Sequence, residues 1–593
     1  MTAKRLGSLF MVSVLLAGSA SAQAVKDLSV VPDVARTTWA PGVRGIPVRT
    51  AVCTTLAPAP GDQSEALEQA IARCRPGQVV QLQAGTYQIN TMVTITRGIT
   101  LRGAGPGQTR LLKTNGAIDN DYRAITSEPI ILVGPHRWPK PSQSVTRLTA
   151  NGVKGAMSVT VSDASGYAAG QFVLLDADDY TTPVWRPVVR TSTATERVRG
   201  SDRLQYSIYD PPRPWSQTDV SLTWFSRPYR SVNEVKEVAS VAGKVITFTT
   251  PLHIDYPTAK AAELVRYDAP HVTYAGVEDL SLEGGGNGAL RFHAAAYSWA
   301  KNVEVFRWIG EGIALEHSFR VEVRDSSLHD AVWPLPGGGG YAFSLAHGAS
   351  EALLENTTIV NANKMMVARS AGAGSVVAYN YADNGFIGNT PAWVEVGLNA
   401  SHLVGSHHIL FEGNQSFNYD SDNTFGGSLA ITVFRNWLTG KRRDFDDTDR
   451  SARAAGLMTG SWHHVFLGNV LGRPGQMTGW VYEDTGTGTG NNRWSEARAV
   501  WRLGYDPGAW DAAADPLVLS TVTRGGNFDY LTNEVRWSGP PRVLPASLYL
   551  DAKPAFMGDR PWPWVTPDGA TKVGTLPAAE RAGIAAPRYR GQQ

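Results

Sequence analysis

Residues 407–447 read HHILFEGNQSFNYDSDNTFGGSLAITVFRNWLTGKRRDFDD. The phrase ILFEGN ends at Asn414, and its echo TVFRN ends at Asn436, 22 residues later. The second copy runs straight into KRRDFDD, three cations abutting three carboxylates. Similar β-prone runs lie on both sides: VEDLSLEG, VEVFRW, VEVRDSSLHD, ALLENTTIV, VVAYNYADN and VFLGNVL. Five of the runs carry asparagine at one relative place, Asn356, Asn380, Asn414, Asn436 and Asn469, with gaps of 24, 34, 22 and 33 residues. A bare repeat of this length makes one turn of a solenoid, whose neighbouring coils bury each other's apolar faces. Stacked amides bond to one another and to turn backbones, so asparagine suits the corner of each coil. The ten or so extra residues in alternate gaps become loops on one side, where function gathers.

The whole chain has 593 residues, a formal net charge of +2, 60 glycines, 18 tryptophans and 20 tyrosines. So small an excess of positive charge gives no footprint for nucleic acid. Residues 1–22 have a basic start at Lys4 and Arg5, an apolar run and a small-residue end, the pattern of an export signal. The run is too short to span a bilayer, and no later stretch is apolar enough, so no membrane partner is expected once the signal is removed. The expected location is secreted or periplasmic. Cys53 and Cys74, the only cysteines, are expected to form a disulfide there.

The chain divides further. Residues 23–145 hold a helix, DQSEALEQAIARC, with Asp62 and Glu65 as its expected capping box, followed by short strands VVQLQAGTYQI, MVTIT and ITLRGAG. Residues 146–255 form an inserted β-rich module, with LVRYDA leading back to the main body over 256–490. Residues 491–593, rich in Trp, Pro and Gly, cap the stack and shield its edges. Gly103, Gly105 and Gly107 have no helix pattern behind them, which removes a dinucleotide fingerprint.

GDQSEALEQAI, VVQLQAGTYQI and ITLRGAGPGQT resemble the amino-terminal cap and first coils of the pectate lyase-like superfamily of polysaccharide-active proteins. The resemblance runs from about residue 45 to 480, broken by the inserted module. It implies an all-β fold, a right-handed parallel β-helix, and a polysaccharide or oligosaccharide as partner. The superfamily holds lyases, hydrolases, epimerases, esterases and binding proteins, so the fold does not choose the reaction. The NTD, paired DD and GHG pattern of polygalacturonases is absent.

The acids lead the candidate chemistry. Asp420 and Asp422 follow one corner asparagine, and Asp444, Asp446 and Asp447 follow the next. On neighbouring coils about 4.8 Å apart, the two groups come within the roughly 5–9 Å of a glycosidase pair. Glu395 is a third candidate. A glycoside hydrolase is therefore the first expectation, and turn caps or surface ion pairs are the plain alternative. A uronate lyase, the second expectation, needs a base and positive charge for an enolate. Lys364, Arg369, Arg435, Arg442 and Arg443 supply charge and His329 a base. Trp333, Trp393, Tyr341, Tyr419 and Trp437 are candidate sugar platforms. No cofactor is required, though calcium fits Asp420 with Asp422 or the 444–447 cluster. His402, His407, His408, His463 and His464 show no zinc-ligand spacing. A non-catalytic glycan-binding β-helix is the remaining class.

Overall fold

The computed structural model describes residues 26–113, 128–135, 141–177, 226–227, 230–286, 288–332, 339–387, 397–422, 427–444, 452–485, 498–505 and 514–584. Its main body is a stack of coils with three strand-bearing sides, sheets I, II and III. The opening stretch shows one coil. Leu410–Glu412 lies in sheet I, Gln415–Ser416 in sheet II and Tyr419–Ser421 in sheet III. Each pairs in parallel with the next coil, Leu410 with Thr432, Gln415 with Trp437 and Tyr419 with Ala455. Sheet III is continuous and parallel from Val93–Ile95 through Leu290–His293, Glu311–Glu316, Tyr341–Ala346 and Asn363–Arg369 to Arg453–Met458, Arg498–Tyr505 and Trp480–Asp484.

The corner between sheets I and II is where the asparagines stand. The side-chain oxygen of each accepts from the backbone N–H and the amide of the preceding rung. Asn414 donates to Asn436 at 2.8 and 2.9 Å, and Asn436 to Asn469 at 2.9 and 3.1 Å. Each amide also reaches the carbonyl of the preceding coil, as Asn436 does to Phe411 at 2.9 Å. These groups are buried, so every rung satisfies donors that water cannot reach. The ladder departs from expectation at both ends. Asn356 is one residue off, and Thr357 donates its N–H to Asn380 from the rung position. The last rung is Asn527, which receives Asn469 at 2.9 Å. The residue before each rung is left-handed: Asn356 at φ 48°, Tyr379 55°, Gly413 65°, Arg435 50° and Gly468 66°. Asparagine tolerates that conformation, which explains why Asn356 occupies it.

Alternation along the strands fills the core. Val377, Phe411, Val433 and Phe466 align on the inner side of sheet I. The ring of Tyr419 packs on Phe411 and Phe466 at centroid distances of 5.2 and 5.5 Å. The outer side of sheet I is covered by the carboxyl-terminal segment. Glu412 accepts from Ser547 Oγ at 2.5 Å and Leu548 N at 2.8 Å, and Arg435 donates to the carbonyls of Leu544 and Pro545.

The helix Ser64–Arg73 closes the first coils. Asp62 accepts from Ser64 N, whereas Glu65 turns to Gln69 and completes no box. Cys53 and Cys74 form a disulfide, 21 residues apart, tying strand Val52–Leu56 to the helix end. A loop of that length stabilises by about 3 kcal/mol. Reduction is expected to lower the thermal midpoint, with a Cys53→Ser, Cys74→Ser variant insensitive to reductant.

The inserted module is an antiparallel sheet in which Glu263–Tyr267, placed by sequence in the main body, lies between Pro141–Arg147 and Phe172–Ala177. Its two edge segments meet at the Leu148–Val161 bridge, giving a barrel-like wall. Beyond residue 490, Arg498–Tyr505 and Thr523–Asp529 still belong to the solenoid, and Glu534–Trp537 folds back antiparallel to end it. No helix among the described residues is long and apolar enough to cross a membrane.

Candidate active site

The outer side of sheet III is polar over several consecutive coils. Side chains two apart on one strand share a face, so Asp420 and Asp422 both point outward while Tyr419 points into the core. The neighbours of Asp420 across the sheet are Asn399 and Gly456. A Cβ on Gly456 would lie 2.2 Å from Asp420 Oδ1, so only glycine leaves room for the carboxylate.

Both acids are fully buried and matched. Asp420 takes two bonds at 3.1 Å from Arg453 Nε and Nη2, and a third at 3.1 Å from Asn418. Burial raises its pKa, although Arg453 opposes the rise. Asp422 accepts from Lys364 Nζ and Asn399 Nδ2, both at 2.7 Å, and faces His402 Nδ1 at 3.2 Å. Burial disfavours its charge, yet Lys364 and His402 hold the carboxyl well below the usual range. His402 Nε2 stands 3.2 Å from Tyr341 Oη. Burial also keeps the His402 pKa below its ordinary value and that of Tyr341 above.

An ionised Asp422 accepts only. The proton of neutral His402 therefore sits on Nδ1, and the bare Nε2 accepts from the Tyr341 hydroxyl. The result is a directional chain, Tyr341 to His402 to Asp422. Beside it, Arg369 bonds Glu311 and, at 2.9 Å, Ser344 Oγ. Among the described residues its Nε has no partner. Glu311 is shared with Arg291 at 3.0 Å, and Arg291 reaches Glu316 at 2.6 Å. Glu316 also meets His293 at 2.9 Å.

Of the two acid groups expected to pair across adjacent coils, the described members stand apart: Asp420 is in sheet III with Asp422 just past its strand, whereas Asp444 lies in the connection between sheets II and III, held by Asn384 and Arg443. Asp446, Asp447, Glu395, Trp393 and Trp333 lie outside the described residues. Lys364 and Arg369 join the site. Arg442 instead donates to Gly385 O at 2.9 Å, and Arg443 N to Asp383 at 3.0 Å. His329 is on sheet II, bonded to Asp330 and Glu304. Despite burial, those two acids push its pKa up to about 9, so it is a cation rather than a base. Tyr419 is a core ring and offers no sugar platform. Calcium at Asp420 and Asp422 would have to displace Arg453 and Lys364. Sequence reasoning missed Arg291, Glu311, Glu316, Asn399 and Arg453, and noticed Tyr341 and His402 only for other roles. All five stand in strands of sheet III, one side of the coil beyond the corner, where no repeated phrase marks them.

The register of these strands and the continuous asparagine ladder decide the architecture. The chain is a parallel β-helix. No protein-family model matches the sequence, and no curated protein matches it. Among solved structures, the tailspike gp61 of Pseudomonas phage phi297 is similar over 70% of this chain and 58% of that one, at 14% identity and a TM-score of 0.46. This β-helix thus spans somewhat over half of the tailspike's length. The Gp54 tailspike of Acinetobacter baumannii bacteriophage AP22, solved with capsular saccharide, gives 11% identity, 71% and 57% coverage and a TM-score of 0.35. An alginate lyase from Paenibacillus sp. gives 9%, 70% and 86%, and 0.31. At these identities the likeness is one of fold.

Proposed function

We propose that this protein cleaves an acidic, uronate-containing polysaccharide by β-elimination on the outer side of sheet III. The observation that carries this reading is the Tyr341–His402–Asp422 chain flanked by Arg369. A glycosidase needs one carboxyl that holds a transferable proton and one that is free to attack or activate water. Asp422 is clamped as an anion and Asp420 is sealed against Arg453, so elimination fits better than the hydrolysis first expected.

In the proposed reaction, His402 Nε2 takes the Tyr341 proton as the phenol oxygen removes the C5 proton of the uronate. The C5–H electron pair forms the C4–C5 double bond, and the C4–O4 bond breaks. Tyr341 then passes the C5 proton to the departing oxygen and takes its own proton back from His402, whose transient imidazolium Asp422 stabilises. The Arg369 guanidinium faces the substrate carboxylate and the enolate charge that grows on it. Export belongs to the same reading, since the Cys53–Cys74 disulfide suits an oxidising compartment.

The reaction needs neutral His402, whose pKa is held below 6.5. The base form therefore persists as pH falls through 6.5. The acidic limb of kcat/KM is expected to have its midpoint below that value, measured as a pH–rate profile. A panel of uronate and neutral polysaccharides tests the proposal. Ultraviolet absorbance of unsaturated uronate should grow in step with new reducing ends, on uronate glycans alone. Reducing ends without absorbance would overturn it.

A further inference from the structure

Lys364 reaches Asp422 because of an irregularity in its strand. Between Tyr341–Ala346 and Asn363–Arg369, Tyr341 pairs with Asn363 but Phe343 pairs with Met366. Two steps on one strand face three on the other, which is a β-bulge. Lys364 lies in it at φ 32°, an uncommon conformation for a side chain with a Cβ. Bulges re-aim a side chain, and strain of this kind persists only where the surroundings over-determine it. Here the re-aimed ammonium crosses the strand Leu398–Asn399 to reach Asp422 at 2.7 Å, beside Asn399 Nδ2 on the same oxygen.

We propose that Lys364 is a positioning residue: from the bulge it fixes Asp422 so that His402 presents its bare Nε2 to Tyr341. This inference rests on the reading of the site given above and deepens it, since a lysine expected to bind substrate acts instead through Asp422. The charged groups facing the Asp422–His402 pair come from several strands. They are Lys364 and Arg369 from Asn363–Arg369, Asp420 from Tyr419–Ser421 with Arg453 behind it, Tyr341, and Glu311 beyond Arg369. Lys364 and Arg369 oppose a positive charge on His402, and Asp422 favours one. Without the ammonium, Asp422 is left to hold a protonated imidazole, which donates from both nitrogens and cannot accept from Tyr341.

The test is deuterium exchange at the imidazole C2 position, followed by peptide mass spectrometry across pH, on the full-length protein. It reports each histidine separately and needs no substrate. In Lys364→Met, the His402 midpoint is expected to rise by about one pH unit or more, with His464 and His271 unchanged. In Lys364→Arg, which keeps the charge, His402 should stay near wild type. The acidic limb of kcat/KM should move up with His402 in the methionine variant. If His402 does not move, or moves only together with His464 and His271, Lys364 is merely structural and the proposal falls. A shift confined to His402 in a protein that releases no unsaturated uronate would keep the positioning role and remove the reaction.

Discussion

Tyr341→Phe is expected to lower turnover of the acidic polysaccharide by about 10²–10⁴-fold, the usual worth of a positioned acid–base group. The substitution removes one oxygen and keeps the ring, which meets His402 edge-on with centroids 6.0 Å apart. Arg369 lies 5.9 Å from the ring centroid and retains that contact. KM should change little, because the hydroxyl acts on the proton in flight rather than on the bound sugar. The fold loses the hydrogen bond between Tyr341 Oη and His402 Nε2, a cost of about 1 kcal/mol. Steady-state kinetics and a denaturant melt on the same preparation separate the two effects. A variant that keeps wild-type kcat would remove Tyr341 from the reaction.

The second large effect concerns the scaffold. Asn436→Ala deletes the middle of the corner ladder. It strips the acceptor from Asn414 N and Asn414 Nδ2, and the donor from Phe411 O. Asn469 Oδ1 loses its bond from the Asn436 amide, though not that from the Asn436 backbone. Each buried polar group left unmatched costs about 1–3 kcal/mol, and the coupled loss places this substitution at or above the 4–5 kcal/mol that marks exceptional mutations. Guanidinium unfolding should show a correspondingly lower midpoint. Asn356→Ala should cost less, because Asn356 stands outside the ladder and its side chain bonds only Asp325, at 2.7 Å, and Arg581, at 3.2 Å, among the described residues. Equal losses at both positions would mean that the ladder is not what holds the corner.

These two sites also show what the sequence made legible. The asparagines repeat at one corner of successive coils, and that corner recurs in a short phrase, so Asn380, Asn414, Asn436 and Asn469 could be read directly. Asn356 misled because two adjacent corner positions both accept asparagine, one for its amide and one for its left-handed backbone. Asn527 was hidden because 58 residues separate it from Asn469. The site was harder for the same reason. Alternation alone puts Asp420 and Asp422 on one face, but their cations arrive from 33 and 58 residues away. Connections of unequal length and a one-residue bulge set that register, and neither leaves a periodic trace. KRRDFDD drew attention by local charge, yet Arg442 and Arg443 serve the turn beside Gly385 and Asp383, away from the face where Lys364 and Arg369 converge.

The measurement that tests the central claim most directly is mass spectrometry of the products formed from a uronate polysaccharide in heavy-oxygen water. Elimination predicts fragments with an unsaturated end, lighter by one water than hydrolytic fragments and free of heavy oxygen at the new break. Fragments of full hydrated mass that carry solvent oxygen at the new reducing end would contradict it, and would return the reaction to a pair of carboxylates.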